Sequence, residues 1–360
     1  MPPIDFASQT IWQLDVCNAC RYCEGYCAVF PALEKRRNFT YGDVIYLANL
    51  CHDCRACYYA CMYAPPHEFG VNIPQTLAEV RQQTYAHYAL PRIAGRLVTQ
   101  HWRLLILGTL LGTAFFAALA ILMGDSGGLT AASVGPGAFY KVVPYSAMVL
   151  PFLVLAGYAL AVLLMGAFAF VRDVGGEWRW SALGQAAGDA FTLRYLQGGT
   201  GDGCYYPADR TSHARLILHM LVFYGFLSAT AATIAAFVLQ DILGELPPYP
   251  LWSVPVVLGS LGGVAMIVGS TGLLALKWRS DRAPADPGTV ALDWMFLVSL
   301  DVVSITGMLL VAARETSAMG VLLILHLATV AALFVSAPYG KFAHLVYRYA
   351  ALVQHRLESR

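Results

Sequence analysis

The chain has 360 residues, of which 58% are hydrophobic and only 12% are charged, whereas about 25% of residues are charged in an average soluble domain. This composition excludes an ordinary soluble protein and favours one embedded in a lipid bilayer. The formal net charge of +1 gives no support for a nucleic-acid partner.

The first 100 residues differ from the rest, because they hold eight of the nine cysteines and many of the charges. The N-terminal stretch MPPIDFASQTIWQLD lacks a basic region followed by an apolar core, so we expect no cleavable signal peptide. A segment that stays in the cytoplasm keeps its thiols reduced and free to bind metal. The sequence therefore predicts a cytoplasmic head over residues 1–100 and a membrane domain over residues 101–360.

The cysteines of the head form two runs, CNACRYCEGYC at 17–27 and CHDCRACYYAC at 51–61. Both have the spacing Cys-x2-Cys-x2-Cys-x3-Cys, which is typical of ferredoxin-like proteins with two 4Fe-4S clusters. In those proteins the fourth cysteine of each run binds the other cluster. Zinc favours two separated cysteine pairs and fits this spacing poorly. The spacing thus assigns one cluster to Cys17, Cys20, Cys23 and Cys61, and the other to Cys51, Cys54, Cys57 and Cys27.

Six stretches after the head are long and apolar enough to cross a bilayer, which takes about 20 residues. They are residues 103–123, 144–169, 215–239, 254–276, 291–313 and 318–337. The connections 170–213 and 277–290 carry seven lysines and arginines against two in the alternate connections. Because basic residues favour the cytoplasmic side, we expect both termini and the head to lie there. The predicted fold is therefore mostly α-helical, with a ferredoxin-like head and a six-helix transmembrane bundle.

Two features of connection 170–213 leave alternatives open. The stretch from Trp178 to Leu196 fits either a helix lying along the membrane interface or a plain loop. Cys204 stands alone in a glycine-rich segment and has no metal-ligand spacing, so we interpret it as a loop thiol without a role.

Four histidines lie in or near the predicted spans: His213, His219, His326 and His344. Imidazoles that project into a helix bundle are common axial ligands of b-type haem. His326 and His344 are separated by about five helical turns and would share one face of a continuous helix, unless Pro338 between them kinks it. The predicted orientation would let His213 face His344 and His219 face His326. One haem is expected, a second stays open, and the alternative is that these histidines bond backbone or water.

Asp301 is the clearest carboxylate inside a predicted span. A buried carboxylate in a membrane protein is a candidate for proton transfer to a quinone or for a bond to a haem ligand. A structural hydrogen bond to a neighbouring helix is the alternative.

Two stretches resemble known families. HLATVAALFVSAPYGKFAH, at 326–344, resembles the last helix of haem-b subunits related to the respiratory nitrate reductase gamma chain. VCNACRYCEGYCAVFPALEKR and YLANLCHDCRACYYACMYAPPHEFGVNIP closely resemble the tricarballylate- or citrate-utilisation protein B family. They are also similar to the C-terminal half of a fused flavin, iron-sulfur and haem protein of cobalamin synthesis.

The resemblance to that family implies two 4Fe-4S clusters, b-type haem and a separate FAD-containing dehydrogenase that oxidises tricarballylate to cis-aconitate. The subunit would reoxidise the partner's flavin and pass electrons to the membrane quinone pool, in the bacterial cytoplasmic membrane. The chain itself shows no dinucleotide fingerprint, so we expect the carbon chemistry on the partner. The alternative is a membrane transporter or redox sensor with a ferredoxin-like head, for which inverted repeats and several polar mid-span groups would be expected.

Overall fold

The computed structural model describes residues 8–199 and 201–359, and it is mostly α-helical, as predicted. A two-stranded antiparallel hairpin, β1 (Cys204–Tyr205) and β2 (Thr211–Ser212), is the sheet found in the described residues. The helices are α1 (Ser8–Cys20), α2 (Val29–Leu33), α3 (Tyr41–Leu50), α4 (Ala56–Tyr59), α5 (Ile73–Tyr88), α6 (His101–Met123), α7 (Ala138–Val142), α8 (Tyr145–Asp173), α9 (Trp180–Phe191), α10 (Ala214–Phe237), α11 (Val254–Arg279), α12 (Pro287–Ala313), α13 (Met319–Ser336) and α14 (Ala343–Glu358).

Six of these helices are long and apolar enough to cross a bilayer, which confirms the six predicted spans. The apolar stretches are His101–Met123, Tyr145–Asp173, Ala214–Ile242, Val254–Arg279, Pro287–Ala313 and Met319–Tyr339. The third includes a π-helical turn, Val238–Ile242, that continues α10. The chain is thus a multi-pass membrane protein.

Small residues bring the spans close together where they pack. A Cβ atom added to Gly225 of α10 would lie 2.9 Å from the carbonyl oxygen of Gly262 in α11. Gly112 of α6 lies equally close to α13, because an added Cβ would meet the backbone of Ala328 at 3.1 Å. Such contacts are the usual basis of helix association in membranes, where the hydrophobic effect contributes little.

The head forms around two helices whose first turns are capped by side chains. At the start of α3, Thr40 and Asp43 form a reciprocal capping box. The side chain of Asn72 accepts a hydrogen bond from the backbone N–H of Gln75 in the first turn of α5. The apolar faces of these helices then meet in one core, in which Leu47 and Leu77 are fully buried.

The last helix, α14, leaves the bundle and packs into the head. The sixth span ends in a 3-10 turn at Ala337–Tyr339, because Pro338 has no N–H to continue the helix. After Gly340 the chain starts again as α14, which buries Tyr347 and Leu352 in the same core as Leu47. His326 and His344 therefore do not share one face of a continuous helix, contrary to the prediction.

The head sits at the end of the bundle where connections 170–213 and 277–290 lie. Asn72 donates to the carbonyl oxygen of Ala283 at 2.7 Å, and Tyr88 donates to the carboxylate of Asp173 at 2.9 Å. In connection 170–213 the stretch after Trp178 is the helix α9, so the loop interpretation was wrong. The two connections richest in basic residues thus share one side of the bundle with the head.

Candidate functional site

The cysteines of the two runs line two adjoining cavities in the head. The first cavity is lined by Cys17, Cys20, Cys23, Cys61 and Cys57, among apolar side chains. The second is lined by Cys27, Cys51, Cys54 and Cys57. Each cavity therefore gathers three cysteines of one run and the fourth cysteine of the other, with Cys57 on the wall between them.

The backbone wraps around these cavities through unusual conformations. Arg21, Asp53 and Arg55 have φ angles of 55°, 53° and 65°, in the left-handed region that non-glycine residues rarely adopt. All three lie between successive cysteines of a run, where the chain must turn sharply. The backbone N–H of Asp53 also donates a hydrogen bond to Cys51 Sγ at 3.4 Å. Strained backbone of this kind is concentrated at functional sites.

Burial keeps the thiols protonated in the absence of a cation. It raises the pKa of Cys17 and Cys23 to about 12, with the neighbouring thiols adding to the effect, and raises the pKa of Cys54 likewise to about 12. A metal centre must therefore displace these protons, and soft thiolates favour iron-sulfur clusters or zinc. Over residues 8–199 and 201–359, no three His, Cys, Asp or Glu side chains converge on a position for a single metal ion. The donor set and the two cavities fit two multi-iron clusters, one in each cavity.

The two cavities differ in exposure. Tyr22 and Met62, which line the first cavity, are 58% and 60% exposed. In the second cavity Cys51 and Cys54 are buried, and the β1–β2 hairpin lies against it. The backbone N–H of Tyr205 donates to the carbonyl oxygen of Cys54 at 2.9 Å.

Cys204, in that hairpin, is fully buried beside Cys54. Its Sγ donates to the carbonyl oxygen of Leu196 at 3.3 Å, and Arg215 approaches it at 3.9 Å. Burial raises the pKa of the Cys204 thiol. Sequence reasoning treated it as a loop thiol, but the structure makes it part of the packing around the second cavity.

Two arginines connect the second cysteine run to other parts of the chain. Arg348 of α14 donates to the carbonyl oxygen of Cys51 at 2.7 Å, and Arg215 of α10 donates to that of Asp53 at 2.7 Å. Burial, reinforced by the nearby charge of Arg81, lowers the pKa of Arg348 to about 10. The second cavity therefore lies at the junction of the head, the third span and the C-terminal helix.

His219 and His344 are brought together near this junction, with their ring centres 6.5 Å apart and their planes at 76°. The Nδ1 atom of His344 bonds the carbonyl oxygen of Lys341, which leaves Nε2 to face a ligand. Metal–imidazole bonds are about 2 Å long and the ring centre lies roughly 1 Å behind the nitrogen. Two imidazoles on one iron thus have ring centres about 6 Å apart, a spacing close to that of this pair.

The predicted histidine pairs differ from those in the structure. His213 is exposed and its Nε2 bonds the carbonyl oxygen of Gly201 at 3.0 Å, so it does not face His344. His326 bonds the hydroxyl of Thr306 at 3.1 Å and lies against Gly307, while the ring contact of His219 is with His344. The pairing failed because α14 is a separate helix, and its position depends on packing against the head.

His101, at the start of α6, is buried, with only 3% of its surface exposed. Its ring lies so close to Gly340 that an added Cβ there would meet Cε1 at 2.3 Å. Its Nδ1 has no hydrogen-bond partner among the described residues. Gly340, two residues after Pro338, was the sequence feature that indicated such a close approach of a side chain to the backbone.

Asp301 lies where α12 packs against α11. Its carboxylate accepts hydrogen bonds from the hydroxyls of Ser270 and, at 3.2 Å, of Thr271. These contacts match the structural alternative of a bond between neighbouring helices.

The comparisons with known proteins cover the head and the bundle. The family described as citrate utilization protein B matches residues 97–360, and its ferredoxin-like (Fer4-like) domain matches residues 10–87. "Citrate utilization protein B" of Escherichia coli is 43% identical over 348 residues, which cover 96% of this chain and 91% of that protein. No solved structure matches at a significant level. The head is thus a Fer4-like domain whose eight cysteines are consistent with two 4Fe-4S clusters.

Proposed function

This chain belongs to the citrate utilization protein B family, and we propose that it is a membrane-bound electron-transfer subunit. Electrons from a soluble flavoprotein would enter at the head, pass through two 4Fe-4S clusters and b-type haem, and leave to a quinone in the bilayer.

The observation that carries this proposal is the position of α14. Within one turn of that helix, His344 lies beside His219 of the third span, and Arg348 bonds the carbonyl oxygen of Cys51. A single short helix therefore connects the second cysteine cavity with the histidine pair. Such proximity is what electron transfer between a cluster and a haem requires, and a binding or transport role does not require it.

The cluster ligands that we propose follow the cavities. Cys17, Cys20, Cys23 and Cys61 would hold the outer cluster, and Cys51, Cys54, Cys57 and Cys27 the inner one. Cys57 touches both cavities, and we assign it to the inner one because its thiol interacts most strongly with Cys54, Cys27 and Cys51. These thiolates would bind the iron, and the bound clusters would supply one-electron redox chemistry.

His219 and His344 would hold the haem. The carbonyl oxygen of Lys341 fixes the ring of His344 by accepting from its Nδ1–H, as backbone carbonyls commonly do for metal-bound imidazoles. His326 and His213 make polar contacts of their own and are not needed for this site.

The exposed surface around the first cavity would receive the flavoprotein. Tyr22 and Met62 line that cavity, and Phe69 stacks on Tyr63 of its lining. We call Trp12, Tyr22, Met62 and Phe69 the outer rim; their side chains are 39–60% exposed. Trp12 and Phe69 contact each other edge to face at 5.6 Å. Exposed aromatic and methionine side chains are enriched at protein interfaces. Family resemblance suggests an FAD-containing tricarballylate dehydrogenase as the partner.

The orientation that we propose places the head and both termini in the cytoplasm of a bacterium, since the head shares its side with the basic connections. The six spans would give access to a lipid-soluble quinone. Asp301 remains a candidate for proton transfer to that quinone, although both of its oxygens already accept hydroxyl hydrogen bonds.

Redox spectroscopy of the purified full chain tests this proposal. We expect dithionite to produce the absorbance of reduced haem b together with the paramagnetic signals of two reduced 4Fe-4S clusters. Protein that contains zinc in place of iron, or no haem, would contradict it. A transporter with a structural head would show neither haem nor electron transfer to quinone.

A further inference from the structure

A group of buried and half-buried basic side chains contacts both the second cysteine run and His344. Arg81 of α5, with 4% of its surface exposed, lies near Cys51 and donates to the carbonyl oxygen of Ala48 at 2.9 Å. Arg348 follows His344 by one turn of α14 and donates to the carbonyl oxygen of Cys51, while the carbonyl oxygen of Lys341 accepts a hydrogen bond from His344. We call Arg81, Arg348 and Lys341 the cationic chamber.

The carboxylates near the chamber do not balance its charge. Asp293 lies 2.5 Å from both Lys277 and Lys341, so it offsets about one of these two ammonium groups. Asp53 accepts a hydrogen bond from the hydroxyl of Tyr206 and lies 3.9 Å from Arg55, another buried arginine. Burying charges without counter-charges is costly. The inner cluster would supply negative charge beside Cys51, whereas Lys341 shares the single carboxylate of Asp293 with Lys277.

The chamber also contains hydrogen-bond donors without acceptors. Arg81 Nη2, Arg348 Nε and the hydroxyl of Tyr85 are buried and have no partner among residues 8–199 and 201–359. Tyr85 is 1% exposed, lies one turn after Arg81 in α5 and stacks on Tyr347, the neighbour of Arg348. Leaving such donors unpaired is costly, and arginine pairs well with carboxylates. A carboxylate is therefore a suitable acceptor for these three donors.

We infer that the cationic chamber binds the two propionate carboxylates of the haem that His219 and His344 hold. The inference rests on the proposed haem site and extends it to the residues that recognise the porphyrin edge. It explains why basic residues from α5, the loop before α14 and α14 itself converge beside the histidine pair. It also orients the porphyrin, because its carboxylate edge then faces the inner cluster.

Haem binding to the full chain, purified from haem-deficient cells, tests this inference. The probes are iron protoporphyrin IX and its dimethyl ester, which lacks the two carboxylate charges. We expect the unsubstituted chain to bind the natural diacid at least about tenfold more tightly than the dimethyl ester, because loss of one charged hydrogen bond alone would cause a difference of this size. Arg81→Gln and Arg348→Gln should reduce this preference, and Arg348→Lys should restore part of it. Arg172→Gln, at a side chain 77% exposed, is the matched control.

Three results would overturn the inference. Equal affinity of the unsubstituted chain for the diacid and the diester would exclude carboxylate recognition, while leaving the histidine site in place. If the arginine variants kept the preference for the diacid but changed the reduction potential of the inner cluster, the chamber would serve the cluster alone. If the chain bound neither porphyrin, the haem assignment itself would fail and this inference with it. Since the diester comparison uses the unsubstituted chain, it does not depend on how well the variants fold.

Discussion

Arg348 donates a hydrogen bond to the carbonyl oxygen of Cys51 across 2.7 Å, and so joins the last helix to the second cysteine run. The two residues are 297 positions apart in the chain. Around this bond, α14 buries Tyr347, Ala351 and Leu352 in the core that also contains Leu47. The C-terminal helix is therefore a structural part of the iron-sulfur head.

Substitution in α14 should thus destabilise the head. Leu352 is 2% exposed, and Leu352→Ala should lower the free energy of unfolding by about 2–5 kcal/mol, because it leaves a cavity in the core. Thermal loss of the iron-sulfur absorbance in detergent measures the effect. Leu345→Ala, on the same helix at a side chain 48% exposed, should change it by less than about 0.5 kcal/mol. Equal effects of the two substitutions would argue against this role of α14.

Cysteine substitutions should reveal the crossed ligation. Cys17→Ser and Cys61→Ser should remove the same paramagnetic signal although they lie in different runs, because both side chains line the first cavity. Cys27→Ser should instead affect the signal of the inner cluster. Electron paramagnetic resonance of the reduced protein measures both signals, and Cys204→Ser is the control that should retain them. If Cys17→Ser and Cys27→Ser removed the same signal, each run would hold its own cluster.

The histidine pair predicts which substitutions abolish haem binding. His219→Ala and His344→Ala should each remove the haem, because each imidazole would supply one axial ligand. His213→Ala and His326→Ala should retain it, since these rings bond Gly201 and Thr306 instead. The haem-to-protein ratio from reduced-minus-oxidised spectra checks all four variants. If His326→Ala lost the haem and His219→Ala retained it, the haem site would instead lie in the outer half of the bundle.

The outer rim predicts where the flavoprotein docks. Tyr22→Ser combined with Met62→Ser should reduce kcat/KM for flavoprotein reoxidation by about tenfold or more, as loss of a central interface contact does. Both clusters should remain intact in this variant. Trp180→Ser, at an indole 90% exposed on α9 and outside the rim, provides the control. A variant that receives electrons at the unsubstituted rate would exclude the outer rim as the docking surface.

The sequence predicted the parts of this molecule that depend on local patterns. The six spans follow from length and hydropathy, and the cysteine runs could be recognised by spacing alone. The position of His344 could not be predicted in this way, because it depends on the helix break at Pro338 and on the docking of α14 against residues that are distant in sequence. The burial of Cys204 could not be predicted for the same reason, since it arises from tertiary contacts such as that with Cys54.

Quinone reduction in proteoliposomes tests the electron path most directly. The full chain would be reconstituted with a lipid-soluble quinone, and photochemically reduced flavin would be added outside the vesicles as the electron donor. We predict quinol formation with the unsubstituted chain, and its loss with Cys61→Ser and with His344→Ala, which interrupt the path at its entry and at the haem. If all three proteins formed quinol at the same rate, and faster than empty vesicles, this result would contradict a path through the head clusters and the histidine pair.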